Sequence, residues 1–225
     1  MNAATPLGDA LAAGLDTLGV AWDGPRLEGL LAYLELLVRW NRVYNLTAVR
    51  DPAAMVTRHL LDSLAIAPWI PEESLVDVGS GAGLPGIPLA LLGPHLPVTL
   101  LDASAKRPRF LHHVALTLPL DYVAVVQARV QDYRPPAPFA AVVSRAFASL
   151  GEFATAAAHL RAEGGAFYAM KGEYPAAELE ALAPLGSWRA QVKVLAVPGL
   201  AAARHLAILT PGAAAPKPQL PGDDS

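Results

Sequence analysis

The chain has no cysteine. Disulfide frameworks, thiolate zinc sites and iron–sulfur clusters are excluded together, as is every mechanism with a cysteine nucleophile. Charge is scarce: charged residues make up 16% of the 225 and hydrophobic ones 53%, where a quarter charged is usual. A chain this apolar buries a sizeable core. Its 17 basic and 20 acidic residues leave a net charge of −3, which excludes a generally basic nucleic-acid coat but not a local basic patch. No basic residue precedes Arg26, so a secretory leader's charged region is missing. Long apolar runs are missing too. The most apolar window, Leu75 to Leu101, is cut by Asp77, four prolines, five glycines and His95, whereas a bilayer-spanning helix needs about 20 nearly uninterrupted apolar residues. The expectation is a soluble, cytoplasmic protein without a membrane partner.

What is present falls into two regimes. Residues 1–70 read as a helical region, with Leu7, Leu11, Leu15 and Leu18 at helical spacing. After Asp23-Gly24-Pro25 a second stripe runs through Leu27, Leu30, Leu31, Leu34, Leu37 and Val38. Asp51-Pro52 supplies an N-cap and a first-turn proline for a further stripe of Val56, Leu60, Leu61 and Leu64. Residues 71–211 alternate instead. Strands are expected at Leu75–Val78, Val98–Leu101, Tyr122–Val126, Ala140–Ser144 and Ala166–Met170, with helices at Ile87–Leu92, Ala105–Leu118 and Leu150–Leu160. That alternation predicts an α/β fold, a mostly parallel sheet with helices on both faces. Ala190–Val197 and Arg204–Leu209 are too close for a crossover helix and are expected to pair antiparallel at the sheet edge. The Pro/Gly/Ala-rich residues 212–225 read as a disordered tail.

The most informative stretch is Leu75-Val-Asp-Val-Gly79-Ser-Gly81-Ala-Gly83-Leu-Pro-Gly86. Glycine permits positive φ and lets a ligand approach the main chain, although a tight strand-to-helix turn wants glycine anyway. Two ligand readings compete. Gly81, Gly83 and Gly86 satisfy the dinucleotide fingerprint, with Asp102 about 20 residues on; that would serve an NAD(P)-linked oxidoreductase. Asp77-x-Gly79-x-Gly81-x-Gly83 is the register of S-adenosylmethionine-dependent methyltransferases. In either, Asp102 addresses ribose hydroxyls. A pyrophosphate disfavours a nearby carboxylate, while a ligand carrying an ammonium and a sulfonium favours Asp77. The methyltransferase register is preferred. A third possibility is a cofactor-sensing RNA-binding module without turnover.

The acceptor atom narrows the chemistry. Pyrimidine C5 usually needs a cysteine nucleophile, and exocyclic amines an Asn/Asp-Pro-Pro-aromatic loop after the fourth strand, where this chain has Ser144-Arg145-Ala146-Phe147. Guanine N7 offers a lone pair and needs only placement and desolvation. Its N7 and O6 are acceptors that arginine or lysine addresses.

From Trp40 to Leu209 the chain resembles the bacterial RsmG/GidB family of small-subunit ribosomal RNA guanine-N7 methyltransferases. The motifs are Trp40-Asn41-x-x-Tyr44-Asn45-Leu46-Thr47, Arg58-His59-x-x-Asp62-Ser63-Leu64, the glycine loop, Ser104-x-Lys106-Arg107, Ser144-Arg145-Ala146, Met170-Lys171-Gly172 and Arg204-His205-Leu206. The resemblance implies a class I methyltransferase fold, S-adenosylmethionine as cofactor, and 16S ribosomal RNA or the small ribosomal subunit as partner. Cofactor contacts are implied for Gly79, Gly81, Gly83, Leu84, Asp102 and Ala103, with Val130 and Gln131 at the adenine and Arg145 closing the pocket. Where the family often has Ala-Glu, this chain has Val130-Gln131; glutamine still offers a carbonyl acceptor. Contacts to RNA are expected from Lys106 and Arg107, from Arg58 with His59, and from Lys171 at the carboxyl end of the fifth strand. Arg109, His112 and His113 read as a solvated helix face. Phe147 and Tyr168 are candidates for stacking on the target base. His205 reads as a satisfied core histidine. No histidine pair stands at metal-ligand spacing beside carboxylates, so no metal is expected. A monomer is favoured.

Overall fold

A computed structural model describes residues 5–93, 95–145, 147, 149–182 and 188–212. Of the expected tail only Gly212 falls within them. Each N-terminal helix begins where its capping chemistry begins. The Thr5 side chain accepts from the Gly8 amide at 3.2 Å, starting α1 (Pro6–Leu18), which Gly19 closes at φ 65°. Asp23 accepts from the Arg26 amide at 2.9 Å and starts α2 (Gly24–Tyr44), which Asn45 ends in the left-handed region at φ 48°. Asp51 caps the Ala54 amide at 2.9 Å. The helix it starts runs through α3 (Pro52–Met55), widens into a π turn over Val56–Leu61, and narrows again in α4 (Asp62–Leu64).

The sheet has seven strands in the order β3-β2-β1-β4-β5-β7-β6. Its strands are β1 (Leu75–Val78), β2 (Val98–Asp102), β3 (Val123–Gln127), β4 (Phe139–Ser144), β5 (Arg161–Lys171), β6 (Trp188–Val194) and β7 (His205–Pro211). The first five run parallel; β7 pairs antiparallel with both β5 and β6, as the short connection required. Helices α5 (Gly86–Leu92), α6 (Arg107–Thr117), α7 (Leu150–Ala156) and α8 (Ala176–Leu182) complete the α/β alternation. Two features depart from expectation. Strand β5 begins five residues early, because its first part carries the exposed Glu163 and Gly164 and hides from an apolar count. Helix α8 is additional; only Leu182 of it is buried, so no stripe betrays it.

Alternation along the strands splits the core. Leu75, Leu100, Val143, Tyr168 and Leu206 face the helical layer of α1, α2, α5 and α6 and join one continuous apolar cluster with Leu11, Leu31 and Leu60. Val76, Val78, Val142, Phe167 and Leu209 face α7 and α8. Strand order reverses between β1 and β4, and the Ser144 hydroxyl bridges them there by donating to the Val78 carbonyl at 2.7 Å. Ligands of open α/β sheets bind at such a switch point, outside the carboxyl ends of the strands.

The helical layer reaches into that point. Tyr33, fully buried on α2, donates its hydroxyl to the Ala82 carbonyl of the glycine loop at 2.7 Å. Tyr33→Phe removes the donor and strands a buried carbonyl, so a loss of about 1–3 kcal/mol in unfolding free energy is expected in urea denaturation. An unchanged midpoint would show the bond to be idle.

Candidate active site

The loop after β1 is shaped by one carboxylate. Asp77 is fully buried in the middle of the sheet, opposite Leu100 on one side and Val143 on the other. Its Oδ2 accepts from the Gly86 amide at the start of α5 at 2.8 Å, which closes the loop from beneath. A Cβ on Gly86 would stand 2.4 Å from Leu100 Cδ2 and 3.0 Å from Asp77 Oδ2, so only glycine permits this closure. Burial pushes the Asp77 carboxyl up to about 7, against the lowering influence of the Gly86 amide and Arg145. Asp77 thus sets the loop's shape from behind. Asp77 does not line the cavity that opens above the strand ends.

A cavity of about 360 Å³ opens above the ends of β1, β2 and β3, within the size range of small-molecule sites. Gly79, Asp102, Ala103, Val130, Gln131 and Phe147 line it, with Val78 and Leu101 supplying apolar wall. Five of the residues expected at the cofactor therefore converge from three separate loops. Asp102, 5% exposed, accepts from the Gly81 amide (2.8 Å) and Arg107 Nη1 (3.0 Å) on Oδ2, and from the Ser104 amide (2.8 Å) on Oδ1. A carboxylate offers about four lone-pair sites, so one remains for a hydroxyl. Arg107, expected at phosphate, is here the ion-pair partner of Asp102. Gly83 and Leu84 point into packing: a Cβ on Gly83 would stand 2.6 Å from Ile87 Cγ1 and 2.9 Å from Leu111 Cδ2, and Leu84 is buried. Phe147 stacks on Phe153 at 4.9 Å and lines the cavity, while Tyr168 is buried within β5.

A second cavity, of about 290 Å³, lies across the end of β4. Arg58, His59, Arg145 and Lys171 meet in its wall, together with Asp62, Arg204 and His205. Arg145 thus stands on this side of β4 and not in the wall of the first cavity. Buried Asp62 gathers two arginines, with Arg204 Nε at 2.9 Å from Oδ1 and Arg145 Nη1 at 3.3 Å from Oδ2. Lys171 pairs with Glu178 at 2.8 Å and donates to the Phe147 carbonyl. His59 is less free than expected. Its Nδ1 faces the Arg58 carbonyl at 2.9 Å, so that nitrogen carries the proton, and Nε2 accepts from the Thr47 hydroxyl at 2.8 Å. Burial draws its pKa down, in keeping with a neutral ring. Asn41, through Val49 and Thr47, completes this bracing of the loop beyond α2. His205 departs from the satisfied core residue expected: its buried Nδ1 has no hydrogen-bond partner.

Tyr33 was not singled out from sequence, and Asp62 and Arg204 were noted only as members of family motifs, without a role or a partner. The one available signal was an acid, Asp62, placed between Leu61 and Leu64 in an apolar helical stripe. Among the described residues there is no cluster of metal-ligating side chains and no helix long and apolar enough to cross a membrane.

A family model described as "GidB: rRNA small subunit methyltransferase G" matches residues 26–207. The chain belongs to the GidB family. It is 52% identical over 204 residues to the ribosomal RNA small subunit methyltransferase G of Alkalilimnicola ehrlichii, covering 91% of this chain and 92% of that protein. With the protein of the same description from Pseudomonas aeruginosa strain LESB58 it shares 51% over 203 residues, 89% and 94% of the two chains. Solved structures agree in fold. The DhpI–SAH complex superposes with a TM-score of 0.54 at 18% identity, over 85% of this chain and all of that one. A ribosomal protein L11 methylase from Lactobacillus delbrueckii subsp. bulgaricus gives 0.54 at 20%, over 68% and 77%. The GidB chain has the class I, Rossmann-like methyltransferase fold, and S-adenosylmethionine is its cofactor. Membership of the GidB family decides against the nicotinamide register.

Two outcomes follow. The raised Asp77 value means that its contribution to stability is complete below the ordinary 3.8 and is lost as pH rises through about 7. Thermal melts of Asp77→Asn against the native chain should differ least at pH 4 and shift in favour of the variant towards pH 8; parallel curves would contradict the buried-carboxyl account. Asp102→Ala should weaken S-adenosylmethionine binding by about 10- to 150-fold, the equivalent of a charged hydrogen bond of about 1.5–3 kcal/mol. Calorimetric titration reads this directly, and unchanged affinity would remove the ribose role.

Proposed function

We propose that this chain transfers the methyl group of S-adenosylmethionine to N7 of one guanine in 16S ribosomal RNA of the small subunit, acting as a cytoplasmic monomer. The observation that carries the reading is the pair of cavities flanking the end of β4, one of nucleoside size and one lined by cations. Asp102 orients the ribose, and Val130, Gln131 and Phe147 enclose the adenine. When bound, the cofactor supplies an electrophilic methyl on a sulfonium.

The rest is placement by this chain's own residues. A guanine N7 lone pair requires no proton removal, so the site needs no general base, and none is assigned. Arg58, Arg145, Lys171 and Arg204 give the second cavity an excess of positive charge, suited to guanine O6 and the adjoining phosphate. Methylation at N7 leaves the purine cationic. The Asp62 carboxylate in the same wall offsets that charge at short range. Asp62 also holds Arg145 and Arg204 in fixed geometry, so little reorganisation accompanies the transfer.

Small subunits from cells lacking the gene, incubated with the enzyme and methyl-labelled S-adenosylmethionine and then digested, should yield label in 7-methylguanosine at one position. Label in another nucleoside, or none while the cofactor still binds, would overturn the acceptor.

A further inference from the structure

Two groups of exposed basic residues lie on elements that pack together, the end of α2 with its following loop and the start of α6. Arg39 and Arg42 lie on the last turns of α2, Arg50 on the loop beyond it, and Lys106 and Arg109 on or beside α6; all five are exposed. They are brought together by Trp40, whose ring centroid is 5.6 Å from that of Phe110 and 5.2 Å from that of His113. His113 is thus half-buried in the helix contact and not fully solvated. Tyr44 stacks on the other side of Trp40 at 5.0 Å and leaves 42% of its surface exposed. Arg50 is steadied by the Asn45 side chain at 3.1 Å. Among the described residues, the side chains of Arg42, Lys106 and Arg109 make no ion pair or hydrogen bond.

This face borders both cavities. At one end Lys106 adjoins Arg107 and its Asp102 partner; at the other, the loop carrying Arg50 also carries Val49, which lines the cation-lined cavity beside Arg58. The opposite side of the site is different in sign, since the groove beyond Phe147 presents Glu152 and Glu178. A chain of net charge −3 therefore carries exposed cations beside one approach to its active site. Exposed arginines interleaved with a stacked aromatic match a sugar–phosphate backbone with an unpaired base.

We propose that the surface formed by Arg39, Tyr44, Arg50, Lys106 and Arg109 is the docking surface for ribosomal RNA flanking the target nucleotide; Arg42, about 200° round α2 from Trp40, stands outside it. The inference rests on the RNA substrate proposed above. Arginines on α2 and α6 take phosphates, and Tyr44 takes a base.

The test is kcat/KM on small subunits between 50 and 200 mM salt, read against log salt concentration for the native chain, Arg39→Ala with Arg109→Ala, Tyr44→Ala, and Arg189→Ala on β6 as a control. Each lost phosphate contact lowers the salt slope by about one unit, so the double variant should lose about two. Its affinity for S-adenosylmethionine and its melting temperature should not change. Tyr44→Ala should lower kcat/KM about tenfold with the slope retained, and Arg189→Ala should match the native chain. An unchanged slope in the double variant overturns the docking face while the methylation reading stands. An equal fall in cofactor affinity or melting temperature shows a structural role instead. Loss on assembled subunits without loss on protein-free 16S RNA would assign the face to a ribosomal protein. A native enzyme that labels no RNA removes the substrate reading itself.

Discussion

The glycine loop of the active site depends on a carboxylate buried beneath it. Asp77 sits where the sheet is most enclosed, and its bond to the Gly86 amide joins the end of β1 to the start of α5. With both ends of the loop held, the residues between them turn through three left-handed glycines, Gly79, Gly81 and Gly83, at φ 75°, 59° and 88°. Gly81 then presents its amide to Asp102, and the edge of the first cavity is complete. Burying a carboxyl this deeply is unfavourable unless it is hydrogen-bonded or neutral. One oxygen is bonded and the other is not, which is why the group holds its proton to an unusually high pH. The sheet thus carries a local energetic cost at its centre in exchange for a fixed loop above it.

The helical layer is part of the same arrangement. Tyr33 holds the loop from α2, and Asp62 on α4 holds Arg145 from β4 and Arg204 from the approach to β7. The motif around Asn41, Thr47 and His59 braces the connection between these helices with bonds to Val49 and to the ring nitrogens. Residues far apart in sequence therefore act on one rim, and the first seventy residues contribute as much to the second cavity as the sheet does.

Much of this was legible in the sequence, for identifiable reasons. Strands β1 to β4 are mostly apolar, with Asp77 in β1 and Thr99 in β2 the interior polar residues, and their limits agree within a residue. The converging set at the first cavity was legible through the family motifs: Gly79 follows β1, Asp102 and Ala103 end and follow β2, and Val130 and Gln131 lie three and four residues beyond β3. What stayed hidden was long-range pairing. Asp62 and Arg204 are 142 residues apart, and nothing in either neighbourhood announces the other. Arg145 follows β4 as expected, but which side of that strand its guanidinium takes depends on a carboxylate from the helical layer. His59 was visible as a polar residue near a site, yet its two nitrogens are consumed by Arg58 and Thr47. Where helix α8 and the first half of β5 went unseen, the cause is burial too slight to leave a pattern.

The π turn between α3 and α4 has a further consequence. Over Val56–Leu61 the helix carries one residue more per turn than its neighbours. Each residue of an α-helix advances the side chains by about 100°. Removing one residue from this turn would restore a regular helix and keep Asp62 in phase, whereas the same deletion in an adjoining α turn would rotate everything after it by roughly that angle and swing Asp62 off both arginines. The turn before Asp62 is thus a reserve of length: a single-codon deletion can be absorbed within Val56–Leu61, while one in the α-helical turn before it would move Asp62 away from Arg145 and Arg204.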